Sequence, residues 1–399
     1  MASILGKLIP EQVGRTTMAL NLIQRTTLFC VVLWLSSGGL LPSTAAGQQV
    51  SMEGLPTLAG RAEDHLRIGQ LLGKSGTEGY LLRTPSTLFD QMVKDDAAWS
   101  ISLLAPEIRG IDNSDLPSSF NDGALWAGRG WNHLITIGGR ARLGRLTLTL
   151  APQFIYQENQ PFPFIVYPLG STPERNLHAN PFHPEPESMD LPMRFGTEPL
   201  DKIDWGQSSI TIDVGPLNFG FSTENAWWGP GIRNGILMSN QAAGVPRAFL
   251  RTKKPIQTGV GKFEGLWILG RLQESDFFDL DSSNDRRMLS GIALTFQPSF
   301  DPGLTLGLAR TVFALTSEGG WLGGVTAALN AIRRLGAPNR DYPDSEDERK
   351  GDQIAILFGR WVFAPHGVEI YGEWARFEEP SSFRDFLEFP QHSSGYTVG

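Results

Sequence analysis

The segment Glu224–Gly244, E-N-A-W-W-G-P-G-I-R-N-G-I-L-M-S-N-Q-A-A-G, gathers the residue types in this chain most able to do chemistry. Trp227 and Trp228 are adjacent, Gly229-Pro230-Gly231 breaks regular strand pairing, and Glu224, Asn225, Arg233 and Asn240 supply carboxylate, amide and guanidinium groups. An indole face can cover the C–H side of a pyranose while amides and guanidinium groups hydrogen-bond its hydroxyls, so the set suits a carbohydrate. It equally suits a rigid re-entrant loop or an aromatic girdle without ligand, because amphipathic aromatics gather at membrane interfaces. Asp122, Trp126, Arg129 and Asn132 flank an earlier strand, and Arg194 follows a long proline-rich loop.

Other chemistry is weakly supported. His178 and His183 lie near Glu185 and Glu187, but in a loop without the helical i, i+4 register that fixes ligands, so neither a metal site nor a cofactor is expected. There is no G-x-S-x-G elbow and no phosphate loop. Glu264, Glu274 and Asp276, or Glu369 and Glu373 on one strand face, could pair as acid and base on a glycoside. Carboxylates facing Arg140, Arg271, Arg310, Arg360 and Arg376 across a lumen are the commoner arrangement, so no catalytic residue is assigned.

The elements that must position these residues are strands. Ile210, Ile212 and Val214 alternate with Ser209, Thr211 and Asp213 before Gly215-Pro216, and Leu217, Phe219 and Phe221 alternate with Asn218, Gly220 and Ser222 after it, which predicts a hairpin with one oily and one polar face. Strands are expected over 99–107, 132–140, 146–156, 246–253, 261–273, 288–297, 303–313, 353–363 and 368–377, most of them of barrel length. Alternation alone does not say whether the apolar face is a soluble core or faces lipid. Before the strands, Leu66–Leu72 closes at Gly73, and Thr84-Pro85 opens a helix with Leu88, Met92 and Val93 inward. A further helix is expected over Trp321–Arg334, followed by a solvated acidic run, Asp341–Asp347.

The 399 residues fit one large barrel or two ordinary domains, and 45 glycines with 11 tryptophans tilt toward the former. A formal net charge of -8 argues against a nucleic-acid partner and against blanket attraction of an acidic polymer. Residues 1–46 read as a leader with Arg25, an apolar core Leu28–Leu35 and a small-residue site at Thr44-Ala45-Ala46; Met18 is an alternative start. Cys30, the single cysteine, would leave with that leader. No later segment reaches the run of about 18 apolar residues that a membrane helix needs.

W-W-G-P-G followed by S-N-Q-A-A-G-V-P resembles the signature of the capsule-assembly Wzi family. The resemblance continues in order through N-D-G-A-L-W-A-G-R-G at Asn121–Gly130, D-L-P-M-R-F-G at Asp190–Gly196, G-D-Q-I-A-I-L-F-G-R-W at Gly351–Trp361, E-I-Y-G-E-W at Glu369–Trp374 and the closing H-S-S-G-Y-T-V-G. It implies an all-β, transmembrane antiparallel β-barrel of outer-membrane type: a leader over 1–46, a helical plug-like module over 47–98, and a barrel over 99–399 that stops short at its C-terminal end. It implies a non-catalytic protein that binds capsular polysaccharide or exopolysaccharide and anchors it at the cell surface, with outer-membrane lipid and capsule-export machinery as further partners. Glu224, Asn225, Trp227, Trp228, Arg233, Asn240, Asp122, Trp126, Arg129 and Arg194 are then the expected polysaccharide contacts. The alternatives are an outer-membrane channel for sugars and a glycan-acting enzyme.

Overall fold

The computed structural model describes residues 54–93, 99–163, 182, 194–278, 285–315, 352–377 and 394–399. The leader, His178, His183, Glu185, Glu187, the helix expected over Trp321–Arg334 and the acidic run Asp341–Asp347 lie outside these residues.

Two helices come first, α1 (Arg61–Leu71) and α2 (Pro85–Met92), separated by a two-residue strand β1 (Leu82–Arg83). The start of α2 is fixed by Thr84, whose hydroxyl accepts the Thr87 N–H while the Thr87 hydroxyl accepts the Thr84 N–H, and by Pro85 in the first turn. Leu88 is fully buried as expected, whereas Met92 is 45% exposed, because the helix ends at that residue. The α1 helix presents Glu63, Arg67 and Gln70 as its buried stripe and leaves Ile68 and Leu72 exposed, the reverse of an ordinary amphipathic helix. It is built to pack against charge.

The wall follows: β2 (Trp99–Asn113), β3 (Gly130–Leu143), β4 (Leu146–Leu150), β5 (Gln153–Gln157), β6 (Leu200–Asp204), β7 (Ser209–Val214), β8 (Leu217–Ser222), β9 (Trp227–Trp228), β10 (Arg247–Thr252), β11 (Ile256–Gln257), β12 (Gly261–Gln273), β13 (Arg286–Pro298), β14 (Leu304–Leu315), β15 (Asp352–Phe363), β16 (Val368–Arg376) and β17 (Ser394–Val398). All but β1 and β9 join one 15-stranded sheet, and every strand pair in it is antiparallel. The expected strands are present, most displaced by one to three residues at their ends, while β6, β17 and the three two-residue strands were not anticipated. The expected 146–156 strand is split at Ala151, where β4 pairs the lower half of β3 and β5 the upper half.

Burial along the strands decides between soluble core and lipid face. In the β7–β8 hairpin Ser209, Asn218 and Ser222 are buried, while Ile210, Ile212, Val214, Phe219 and Phe221 are 38–50% exposed. In β16 Val368 and Ile370 are exposed and Glu373 is 3% exposed. The sheet is therefore polar inside and apolar outside, as a lipid-facing barrel requires. Among the described residues the path is not closed, with β17 paired only to β16 and β2 only to β3.

The sheet must nevertheless curl. From β16 to β3 the hydrogen-bonded path crosses ten strands, about 43 Å if flat, whereas α1 is only about 16 Å long. Yet the helical module reaches both ends: Arg67 contacts Glu369 on β16, Glu78 contacts Lys262 on β12, and Asp90 contacts Arg140 on β3. The two helices thus fill a concave interior. The connections split by length, with Gly144-Arg145, Gly215-Pro216, 299–303 and 364–367 at one end and 114–129, 158–199, 223–246 and 274–285 at the other.

Candidate functional site

Just past β8 the chain leaves the wall at Glu224 and enters the interior. Glu224 is 3% exposed; its carboxylate accepts the Ser86 N–H at 2.9 Å in the first turn of α2, where the positive end of the helix favours an anion, and the Ser222 hydroxyl at 3.2 Å. Asn225 exchanges hydrogen bonds with Gln207 at 2.7 and 2.9 Å, and donates to the Ala242 carbonyl. Asn240 donates to the carbonyls of Asn121 and Leu58. These three expected sugar ligands spend their polar groups on holding the loop to the wall and the helical module.

Trp227 and Trp228 are 0% and 1% exposed and pair as β9 with Arg83 and Leu82 of β1. They sit in the main apolar cluster with Leu58, Tyr80, Leu81, Leu88, Ile268 and Phe358 and present no open ring face. The Gly229-Pro230-Gly231 turn that follows is clamped from three sides. Arg83 donates to the carbonyls of Gly229 (2.6 Å) and Gly231 (3.1 Å), Arg67 donates to that of Pro230 (2.7 Å), and Glu373 accepts the N–H groups of Gly231 (2.8 Å) and Ile236 (3.0 Å). Gly229 has φ of 108°, and a Cβ there would overlap the Glu373 carboxylate.

The same charges hold the helices. Arg83 Nε meets Glu63 Oε1 at 2.6 Å, with the Tyr80 hydroxyl donating to the same oxygen at 2.8 Å; Arg67 and Arg360 share Glu369 at 2.6 and 2.7 Å, and Arg360 also donates to Gln70. Tyr80 lies under the guanidinium groups of Arg67, Arg83 and Arg360 at 5.8, 4.5 and 4.8 Å from its centroid. Burial pushes its phenol pKa up, so it stays neutral and donates. Arg140 pairs with Asp90, and Arg310 with Gln353; Arg360 and Arg376 are buried, whereas Arg271 is exposed, since alternation along β12 turns it outward. The paired-carboxylate reading loses its geometry here, because Glu369 is held by two arginines and Glu373 by two backbone N–H groups.

At the end with the long connections a second cluster forms. Trp126 and Phe195 meet edge-on at 4.7 Å, and Phe195 and Phe182 both meet Phe277 edge-on at 6.0 Å, so the 114–129, 158–199 and 274–285 connections touch one another. Arg194 donates to the carbonyls of Asn159 and Thr197, and Arg129 to those of Pro161 and Ser114. Arg233 is exposed, and its backbone carbonyl accepts from Asn121 at 2.6 Å. Among the described residues none of these three arginines has an ion pair. Asp122, by contrast, is taken up by Arg109 at 3.2 Å and by the Phe120 N–H at 2.7 Å, and Asn132 is buried with its amide donating to backbone carbonyls. The ten expected contacts thus divide into an interior brace (Glu224, Asn225, Trp227, Trp228, Asn240) and residues around the mouth (Asp122, Trp126, Arg129, Arg194, Arg233).

Several organising residues carried no signal in the sequence reading. Asn159, 2% exposed with φ of 54°, binds the carbonyls of Phe195, Gly196 and Glu198 and so knits the long connection together. Arg83 and Glu63 lie in segments read only as helix and linker. A lone Asn in a polar run and a helical Glu are common, and only their partners distinguish them.

No family model and no curated protein matches the chain. Among solved structures it is similar to Wzi from Escherichia coli, an outer membrane protein involved in group 1 capsule assembly and a carbohydrate-binding β-barrel, at 12% identity and a TM-score of 0.40, over 75% of this chain. The chain spans about half (53%) of the length of that protein.

Proposed function

We propose that this protein is a non-catalytic outer-membrane anchor that holds capsular polysaccharide or exopolysaccharide at the cell surface. The observation that carries the reading is the mouth, where the exposed Arg233 and the half-buried Arg129 stand without an ion pair among the described residues, with the buried Arg194 behind them, beside Trp126 and Phe195. On a chain of net charge -8 such a local positive field is what an acidic polymer would need. The ordered sequence blocks support the same function, and the exposed apolar outer face supports a lipid environment. In this reading the leader is cleaved near Ala46, the short turns face the periplasm, the long connections face outward, and export machinery delivers the polymer to them.

The channel alternative is disfavoured by the contents of the interior, where α1, α2 and the Glu224–Gly244 loop are tied to one another and to the wall by ion pairs and buried hydrogen bonds. Planar-bilayer recording tests it, since a filled interior gives no steady conductance and a porin does. The anchor is tested with Arg233→Ala, whose side chain makes no hydrogen bond or ion pair among the described residues. Capsule shed into the medium should rise several-fold, more so at higher salt, with heat-modifiable gel mobility unchanged. A folded Arg233→Ala, Arg129→Lys double variant that keeps all its polysaccharide would refute the assignment of the mouth.

A further inference from the structure

We infer that the crevice between the Leu55–Ala62 segment and the inner face of β2 is a second saccharide subsite, one that takes an uncharged, hydroxyl-rich sugar unit. The inference rests on the anchor reading and deepens it, because it assigns a distinct chemistry to the interior side of the mouth. Two adjoining spaces share Leu55, Pro56, Thr57, Glu107 and Arg109 as walls. The wider one, about 650 Å3, lies within the range of small-molecule pockets, between β2 and the start of α1 with Phe89, Met92 and Val93 at its floor. The narrower one, about 30 Å3, has room for one hydroxyl or one water and runs in toward Gln153, Thr136 and Asn240.

The charged side chains on these walls are the carboxylates of Glu107 and Asp122 and the guanidinium groups of Arg61 and Arg109. Gln153, on the wall of the narrow end, is 6% exposed; its Oε1 is closed off from solvent and has no hydrogen-bond partner among the described residues, while its amide nitrogen donates to Thr136. Glu107 and Asp122 add two carboxylates, one to each side of the single guanidinium of Arg109, at 3.0 and 3.2 Å. Both remain partly open to the crevice, with side-chain exposures of 34% and 12%, and each carboxylate has lone pairs beyond the one Arg109 takes. Glu107 and Asp122 are balanced by Arg109 and Arg61, so the walls carry no net charge to attract an ionic unit, whereas the hydroxyls of a neutral sugar can donate to Glu107 and Asp122 and accept from Arg109 and Arg61. Leu55, Pro56 and Leu104 supply the apolar surface for its C–H faces. The crevice and the arginine-lined mouth would thus select different units of one polymer.

The test uses the full chain folded in detergent, titrated by calorimetry with free lactose and cellobiose and, separately, with a purified acidic capsular polysaccharide. Wild type should bind at least one neutral disaccharide. Glu107→Gln, which removes charge at nearly constant volume, and Ala62→Trp, which fills the wide space, should each weaken that binding tenfold or more. Gel mobility confirms that each variant is folded. Neutral-sugar binding that survives within twofold in both crevice variants overturns the subsite. Polymer binding without any disaccharide binding overturns the subsite and spares the anchor. Loss of Arg233→Ala polymer binding with crevice variants unaffected toward disaccharide likewise counts against it, and wild type that binds neither probe overturns both readings.

Discussion

Arg83→Met isolates the brace that seats the helical module. Arg83 is fully buried and contacts five groups: Glu63 at 2.6 Å, the carbonyls of Gly229 and Gly231 at 2.6 and 3.1 Å, and the rings of Tyr80 and Trp227 at 4.5 and 5.1 Å from their centroids. Methionine keeps much of the volume but leaves a buried carboxylate without its cation, which costs about 3–5 kcal/mol, and two buried carbonyls short of a donor, each worth about 1–3 kcal/mol. These losses overlap, and Glu63 keeps the Tyr80 hydroxyl and the Ala59 N–H, so the net expectation is about 4–6 kcal/mol. Glu63→Gln in the same chain removes the orphaned charge and should restore about 1–3 kcal/mol. Urea unfolding from detergent micelles measures both, followed by tryptophan emission, to which the buried Trp227 and Trp228 contribute. The exposed Arg233→Ala serves as the comparator and should stay within about 0.5 kcal/mol of wild type. If Arg83→Met loses no more than that comparator, or the double variant is no more stable than the single one, the ion pair does not seat the module.

Gly231→Ala should cost about 2–3 kcal/mol or prevent folding, because its Cβ would meet the Asn234 carbonyl oxygen, a backbone atom that cannot swing away; a variant with unchanged urea midpoint would count against the clamped turn. Trp228→Ala should lower stability by about 3–5 kcal/mol, and any loss of polysaccharide should track the unfolded fraction; a normally stable variant that sheds its capsule would restore the tryptophan to a binding role. Glu158 accepts the N–H of Trp131 at 2.7 Å and the amide of Gln160, and these bonds, in that order, hold its pKa below the ordinary carboxylate range. A depressed folded pKa means that its stabilisation is present above the unfolded value and is lost as pH falls through the folded one. Protease cleavage in the 114–129 connection should accordingly rise below about pH 4, and Glu158→Gln should flatten that rise; an identical acid response in the variant would exclude Glu158 as its source.

Much of the wall was legible in the sequence because a period of two survives wherever one strand face is polar. The β7–β8 hairpin, β12 and β16 were placed within a residue or two, and the Thr84-Pro85 signal located α2. The short β6 has no such pattern, since L-D-K-I-D alternates poorly and is set by its pairing with β5. The direction of the alternation was not legible: Ile210, Ile212 and Val214 read the same whether they face a core or lipid, and only burial of Ser209, Asn218 and Ser222 settles it.

The sequence by itself determined that Trp227, Trp228 and the glycines after them form an unusual local structure, because two indoles followed by Gly-Pro-Gly cannot continue a paired strand. What that structure is for was decided by tertiary contacts. Arg83, Arg67 and Glu373 come from positions about 140–165 residues away and converge on the three residues of the turn, so the segment is a brace against the helical module rather than an open platform. Ring and amide types are the same in both roles. They differ only in whether distant charges and apolar side chains cover them, and that depends on the curvature of the sheet, which local residue patterns do not encode.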